Sequence, residues 1–151
     1  MKLGLTTLLA IASLAGTALA AEKSLQLKDL PAAVQKTVQD TLQGGEIQNI
    51  GKETEKGVRQ YEVETMLNGK HRDFEVDSKG TLLVVEEETS IDSIPAAAKA
   101  TILKKVGAGK VDLVETFNKP GSDTMYEAAW TTKAGKKHEV LVKADGSETK
   151  E

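Results

Sequence analysis

The chain has 151 residues, of which 39% are hydrophobic and 28% are charged, with a formal net charge of −3 and no cysteine. These values are typical of a globular domain, and the lack of cysteine excludes disulfide scaffolds, thiolate metal sites and thiol nucleophiles. With one Trp, two Tyr and two Phe, the chain offers little surface for stacking bases, and no basic excess points to a nucleic-acid partner.

Residues 1–20 have the features of a secretory signal peptide. Lys2 precedes an apolar run, and Ala18-Leu19-Ala20 matches the small-x-small pattern of a cleavage site. The run is too short and too rich in Ala, Gly and Thr for a membrane span, which needs roughly 20 apolar residues. We therefore expect cleavage before Ala21, a periplasmic or secreted protein, and no stable membrane insertion after cleavage.

Residues 21–89 are predicted to form a first unit, a helix followed by antiparallel strands. The apolar positions of the helix recur at every fourth residue: Leu30, Val34, Val38 and Leu42. After Gly44-Gly45 the apolar period changes to two, which is typical of β-strands, and Asn68-Gly69 predicts a two-residue hairpin turn. The side chains expected to face the helix are Tyr61, Val63, Phe74 and Val76.

Residues 90–151 repeat this pattern and are predicted to form a second unit. Leu30-Pro31-Ala32-Ala33 returns as Ile94-Pro95-Ala96-Ala97, and Gly69-Lys70 returns as Gly135-Lys136. The predicted fold class is therefore α+β, with two tandem helix-then-antiparallel-strand units of the αβββ type. Each helix is expected to pack on its antiparallel sheet.

Several short stretches of the first unit resemble the PepSY pattern: Tyr61-Glu62-Val63, Asn68-Gly69-Lys70 and the segment FEVDSKGTL at residues 74–82. Together with the doubled unit and the signal peptide, they resemble the PepSY-like group of small exported bacterial proteins related to β-lactamase-inhibitor proteins. The second unit departs from the pattern, because Ala144-Asp145-Gly146 places its acidic residue next to the glycine. The resemblance implies an exported, non-catalytic binding module that restrains or modulates an extracytoplasmic enzyme by protein–protein contact.

The sequence gives no indication of catalysis. It contains no G-x-S-x-G elbow, no H-E-x-x-H pair and no glycine-rich phosphate loop. Its two histidines, His71 and His138, each lie on a predicted strand beside basic residues, where an exposed histidine is commoner than a catalytic one. We therefore expect no enzymatic activity and no cofactor.

An acidic ladder along the third predicted strand is the candidate metal site: His71, Asp73, Glu75 and Asp77. The four residues alternate with Phe74 and Val76 and so project from one sheet face. Oxygen ligands could hold a hard cation such as calcium, so the alternative function is a cation-binding or envelope-stress-sensing protein. Calcium normally takes about 6–8 oxygens from a shaped loop, which favours a solvated face.

The acidic charge is concentrated in the first half of the chain. Residues 21–89 contain 9 Lys or Arg and 14 Asp or Glu, whereas residues 90–151 contain 10 Lys or Arg and 9 Asp or Glu. Such a surface could steer a basic partner or simply maintain solubility. The candidate residues for contact with an unknown protein, such as an exported enzyme, are Asp73, Glu75, Asp77 and Trp130. Trp130 is also expected to pair with Tyr126 in the core.

Overall fold

The structure is a computed structural model that describes residues 25–55 and 57–150, so the predicted signal peptide lies outside the described residues. A 3-10 turn at Leu27–Asp29 precedes helix α1 (Ala32–Leu42), and helix α2 (Ala96–Val106) lies midway along the chain. The strands are β1 (Glu46–Glu55), β2 (Val58–Leu67), β3 (Lys70–Asp77), β4 (Leu82–Glu88), β5 (Lys110–Asn118), β6 (Met125–Thr131), β7 (Lys137–Lys143) and β8 (Glu148–Thr149).

The described strands form one eight-stranded antiparallel sheet in which each strand pairs with the next along the chain. The predicted fold class, two tandem helix-then-strand units of the α+β type, is therefore wrong. Strands β4 and β5 pair from Val85 with Asn118 to Glu88 with Glu115, so the sheet continues unbroken between the two halves. Strand dominates, and each helix has only 11 residues. The apolar period identifies single strands, but it does not reveal which edges pair to satisfy their backbone hydrogen bonds.

One face of the sheet is covered by the two helices, and two apolar clusters lie beneath them. The cluster under α1 contains Leu30, Val34, Val38, Ile50, Tyr61, Val63, Phe74 and Val76. The cluster under α2 contains Ile94, Ala98, Ile102, Val106, Val114, Ala128, Trp130 and Val142. Leu42, predicted to be buried, is half-buried at the end of α1. Burial of these side chains, at roughly 1.5–3 kcal/mol each, is what fixes each helix on the sheet.

The N-terminal half of each helix lies against a turn glycine of the sheet. Thr37 of α1 donates its hydroxyl to the carbonyl of Gly80 at 2.6 Å, and Thr101 of α2 donates to the carbonyl of Gly146 at 2.8 Å. Both glycines have positive φ, +88° and +85°. Because these glycines lack a Cβ, the helix backbone approaches the turn closely.

Buried Arg72 attaches the end of α1 to the sheet. Its Nη1 donates to the carbonyl of Thr41 at 2.7 Å, and its Nε donates to the carboxylate of Glu87 at 2.9 Å. The last carbonyls of a helix lack internal partners and carry partial negative charge, so a guanidinium is a suitable donor there. Arg72 thereby holds α1 over β3.

Candidate functional site

The face of the sheet opposite the helices, here called the open face, is the candidate functional site. Along β2 and β3, Glu62 and Glu75 alternate with buried Val63 and Phe74, and they are paired across the strands. Neither helix lies on this side, and the described residues supply no other element to cover it. The acidic residues of the open face include Glu62, Glu64, Asp73, Glu75, Glu86, Glu88, Glu115, Glu127 and Glu139.

Glu62 has a strongly perturbed acidity. Its pKa is raised from 4.5 to about 8, first because it is buried and then because the carboxylates of Glu64, Glu53, Glu75 and Asp73 surround it. Burial disfavours the charged form of an acid, and neighbouring negative charges add to the effect. At neutral pH the Glu62 carboxyl group is therefore largely protonated.

Glu115 lies at the centre of an acidic row that crosses three strands. It pairs with Glu88 of β4 on one side and with Glu127 of β6 on the other. Facing side chains in such pairs have Cβ atoms about 4.5–5.5 Å apart, and like charges in them repel. The pKa of Glu115 is raised to about 7, chiefly by burial and then by Asp73, Glu88 and Glu139. After Glu62, Glu115 is thus the second carboxyl group of the open face whose pKa is raised close to neutral pH.

The Oε1 atom of Glu115 is buried without a hydrogen-bond partner among the described residues. The whole residue is only 7% exposed. A buried oxygen without a donor costs free energy, and most buried polar atoms in native proteins have a partner. This atom is therefore an acceptor that a ligand or partner could satisfy.

An apolar strip borders the acidic row on the open face: Val84, Phe117 and Leu141. Phe117 is 1% exposed although neither α1 nor α2 covers it. The ammonium of Lys119 lies 5.3 Å from the centre of its ring, within the range of a cation–π interaction. A long cationic side chain thus lies over part of the apolar strip.

The open face continues into a groove of about 620 Å³ at one end of β6 and β7. Met125 and Lys143, which pair across these strands on the open-face side, line it together with Tyr126, Asp123 and Asp145. The groove extends the contact area from the apolar strip toward the turn after β7.

The acidic ladder predicted from the sequence lies on the open face, but its members have different roles. His71 is exposed, and Asp73 accepts a hydrogen bond from the backbone N–H of Thr65 at 2.8 Å. Glu75 is half-buried opposite Glu62. Within residues 25–55 and 57–150, no three His, Asp or Glu side chains are arranged to hold a metal ion.

Asp77 stabilises the turn between β3 and β4. Its carboxylate accepts hydrogen bonds from the backbone N–H groups of Lys79 and Thr81, both at 2.8 Å. These bonds, that of Thr81 first, lower the pKa of Asp77. Asp145 has an equivalent function after β7, where it accepts from the N–H and the hydroxyl of Ser147. The acidic residue is needed in both turns although its spacing to the glycine differs.

Trp130 lies on the opposite side of the sheet from Asp73, Glu75 and Asp77. It is 7% exposed beneath α2, and its ring stacks on His138 with the ring centres 5.3 Å apart. The structure therefore does not bring Trp130 together with the acidic ladder.

The sequence pattern alone does not single out Glu62, Glu115 or Phe117. The alternation Tyr61-Glu62-Val63 already indicated that Glu62 faces away from α1. Glu115 and Phe117 gave no such signal, because their surroundings depend on the pairing of β4 with β5.

Comparison with solved structures finds this fold in bacterial proteins of low sequence identity. A Bacteroides eggerthii protein described as periplasmic matches with a TM-score of 0.63 and 15% identity, over 80% of this chain and 86% of that one. A DUF2874 family protein from Bacteroides ovatus has a TM-score of 0.60 and 14% identity, over 80% and 85%. A BLIP-like protein from Bacteroides fragilis has a TM-score of 0.55 and 18% identity, over 80% and 84%. No family model and no curated protein matches the sequence.

Among the described residues, neither helix has the length and apolar character needed to cross a membrane. The periplasmic description of a matching structure agrees with the predicted location in the periplasm or outside the cell. The β-lactamase-inhibitor-like part of the predicted resemblance is supported at the level of the fold, whereas the PepSY-like part and the two tandem units are not confirmed. The chain therefore shares its fold with BLIP-like and DUF2874 family proteins.

Proposed function

We propose that the protein is an exported, non-catalytic binding module whose open face contacts a partner protein with a basic surface. An exported enzyme is the proposed class of partner, restrained or modulated by this contact. The fold shared with a BLIP-like protein supports this choice. The observation that carries the proposal is an acidic sheet face, uncovered by either helix, over the buried apolar strip.

The charge arrangement supports a cationic contact. The acidic row and the pair of Glu62 with Glu75 bring carboxyl groups opposite one another on neighbouring strands. Such pairs lower stability unless a cation lies between them or the groups take up protons. Lysine and arginine side chains of a partner would replace this repulsion with attraction.

The acidic face also favours rapid association with a basic partner. Complementary surface charge raises the rate of productive encounter, and added salt screens the effect over a Debye length of about 10 Å at 0.1 M. Met125, which is half-buried and packs against the apolar strip, would contribute to the lifetime of the complex through contact area that excludes water.

Site-specific crosslinking can test which face binds. We would place p-benzoylphenylalanine at His71, exposed on the open face, and separately at Lys104, exposed on α2, and irradiate each full-length mature protein in a periplasmic extract. A partner crosslinked from position 71 and absent from position 104 would support the proposal. A partner crosslinked only from position 104 would contradict it.

Charge removal on the open face is expected to slow association with the captured partner about tenfold at low salt. The test variant is Glu64→Gln/Glu75→Gln/Glu86→Gln, which removes three carboxylates from β2, β3 and β4 while it keeps an acceptor oxygen at each position. Stopped-flow measurements in low and high salt would show the difference shrink as salt is added.

The matched control is Asp40→Asn/Asp92→Asn/Glu148→Gln, which removes three carboxylates outside the open face. Each forms an exposed ion pair with a lysine, and such pairs contribute little to stability. If the control slows association as much as the test variant does, net charge rather than the open face steers the partner.

A further inference from the structure

We propose that the carboxylate of Glu115 binds the charged end of one lysine or arginine side chain of the partner. This side chain inserts at the centre of the acidic row. This inference rests on the proposed function, since it assumes that a basic partner contacts the open face. It adds the position of the central contact and the chemistry of the group that makes it.

The first support is the unsatisfied oxygen. Oε1 of Glu115 is buried and receives no hydrogen bond from the described residues. A partner ammonium or guanidinium would supply a charged donor, and hydrogen bonds between ionised groups are stronger than those between neutral ones. The donor would come from the open side, because the opposite side of the sheet is filled by the cluster under α2.

The negative charge around Glu115 also supports a cation at this position. The groups that face Glu115 from the neighbouring strands are Asp73 on β3, Glu88 on β4, Glu127 on β6 and Glu139 on β7. All four are acids, so an anion is disfavoured and a cation is favoured at this position. The ammonium of Lys119 lies over the ring of Phe117.

Access to Glu115 requires only side-chain movement. Its row neighbours Glu88 and Glu127 are half-buried, long, unbranched side chains rather than a packed helix. Rotamer changes of this kind are fast on the timescale of protein association. The apolar stem of an entering lysine or arginine would then lie along Phe117 and Leu141, while its charged end reaches the carboxylate.

The contact makes binding dependent on pH. Burial and the neighbouring acids raise the pKa of Glu115 to about 7, so the free protein holds a proton there about half the time at neutrality. A cation binds the ionised form, so affinity falls as the pH drops from 8 to 6, about tenfold for one linked proton. Glu62, whose pKa is about 8, also lies on the open face, so the effect must be assigned to one residue.

A lysine octapeptide is the probe, and the same peptide with acetylated side chains is its uncharged control. Calorimetric titrations at pH 6 and pH 8 would compare three full-length mature proteins, all carrying His71→Gln so that the open face holds no histidine. These are the His71→Gln parent, Glu115→Gln and the open-face control Glu64→Gln. We expect Glu115→Gln to bind about tenfold more weakly at pH 8 and to lose most of the pH dependence. Glu64→Gln should weaken binding no more than about twofold and keep the pH dependence.

Carbon-13 NMR of the Glu115 carboxyl group in the wild-type protein gives a readout that needs no variant. Its titration midpoint is expected to fall by at least one pH unit when the lysine octapeptide saturates the protein, because a bound cation favours the ionised form. An unchanged midpoint, or unchanged affinity in Glu115→Gln, would overturn the inference.

The outcomes separate this inference from the proposed function. Weaker binding by Glu64→Gln/Glu75→Gln/Glu86→Gln together with normal binding by Glu115→Gln would contradict the role of Glu115. It would still support partner binding by the open face. Failure of the wild-type protein to distinguish the lysine octapeptide from its acetylated form at low salt would overturn both.

Discussion

Raising the pH from 5 to 9 should lower the free energy of unfolding of the isolated protein by about 6 kcal/mol. Burial and neighbouring acids raise the pKa of Glu62 to about 8 and of Glu115 to about 7 in the folded protein. The unfolded chain loses these protons near pH 4.5, so the folded state binds more protons between pH 4.5 and 8. Stability that is fully present at pH 4.5 is therefore lost as the pH rises through 7 and 8.

Urea denaturation followed by circular dichroism at pH 5, 7 and 9 would measure this loss. The double variant Glu62→Gln/Glu115→Gln should show a nearly flat pH dependence and be more stable than the wild-type protein at pH 9. Asp40→Asn is the control, because Asp40 is exposed on α1 and paired with Lys36, away from both groups, and its curve should follow that of the wild-type protein. The lowered pKa of Asp77 acts below pH 4, outside this range. A wild-type protein more stable at pH 9 than at pH 5 would contradict the prediction.

Gly80→Ala should reduce stability by about 3 kcal/mol or more, a second large effect. Gly80 has a φ of +88°, which disfavours any side chain. A Cβ there would lie 2.7 Å from the carbonyl oxygen of Ala33, in the backbone of the first turn of α1. To relieve this overlap, α1 must move away from the sheet, and the hydrogen bond from Thr37 to Gly80 is then weakened.

Gly135→Ala is the matched control for Gly80→Ala. Gly135 has a similar φ of +78°, but a Cβ there would meet nothing within 4 Å. Its replacement should cost only the backbone strain, about 1 kcal/mol. Thermal melting of both variants would separate the strain from the helix contact. An equal loss of stability in the two variants would show that the contact with Ala33 does not require glycine at position 80.

Local structure was largely predictable from the sequence because it depends on near neighbours. The fourfold spacing of Val34 and Val38 correctly indicated the buried side of α1, and the alternation around Phe74 correctly indicated the inner side of β3. Asp77 shows the limit of such patterns. Its place in the acidic ladder suggested a ligand, but its carboxylate accepts two backbone N–H groups of its own turn.

The pairing of the two halves into one sheet was not predictable from the sequence, and neither was the environment of Glu115 that this pairing creates. Backbone hydrogen bonds join β4 to β5, and such bonds depend little on which side chains the strands carry. The surroundings of Glu115 combine residues of β3, β4, β6 and β7, which belong to both halves of the chain. Its raised pKa and its unsatisfied oxygen therefore could not be inferred from one half alone.

The sequential order of the strands also has a kinetic consequence. Every strand pairs with the one that follows it, so most pairings close only a short turn and lose little chain entropy. Pairing of β4 with β5 is different, since the connection between them contains the whole of α2. Folding that begins with local hairpins in each half is favoured by this low contact order. We therefore expect the pairing of β4 with β5 to form last, so that the acidic row is complete only in the fully folded protein.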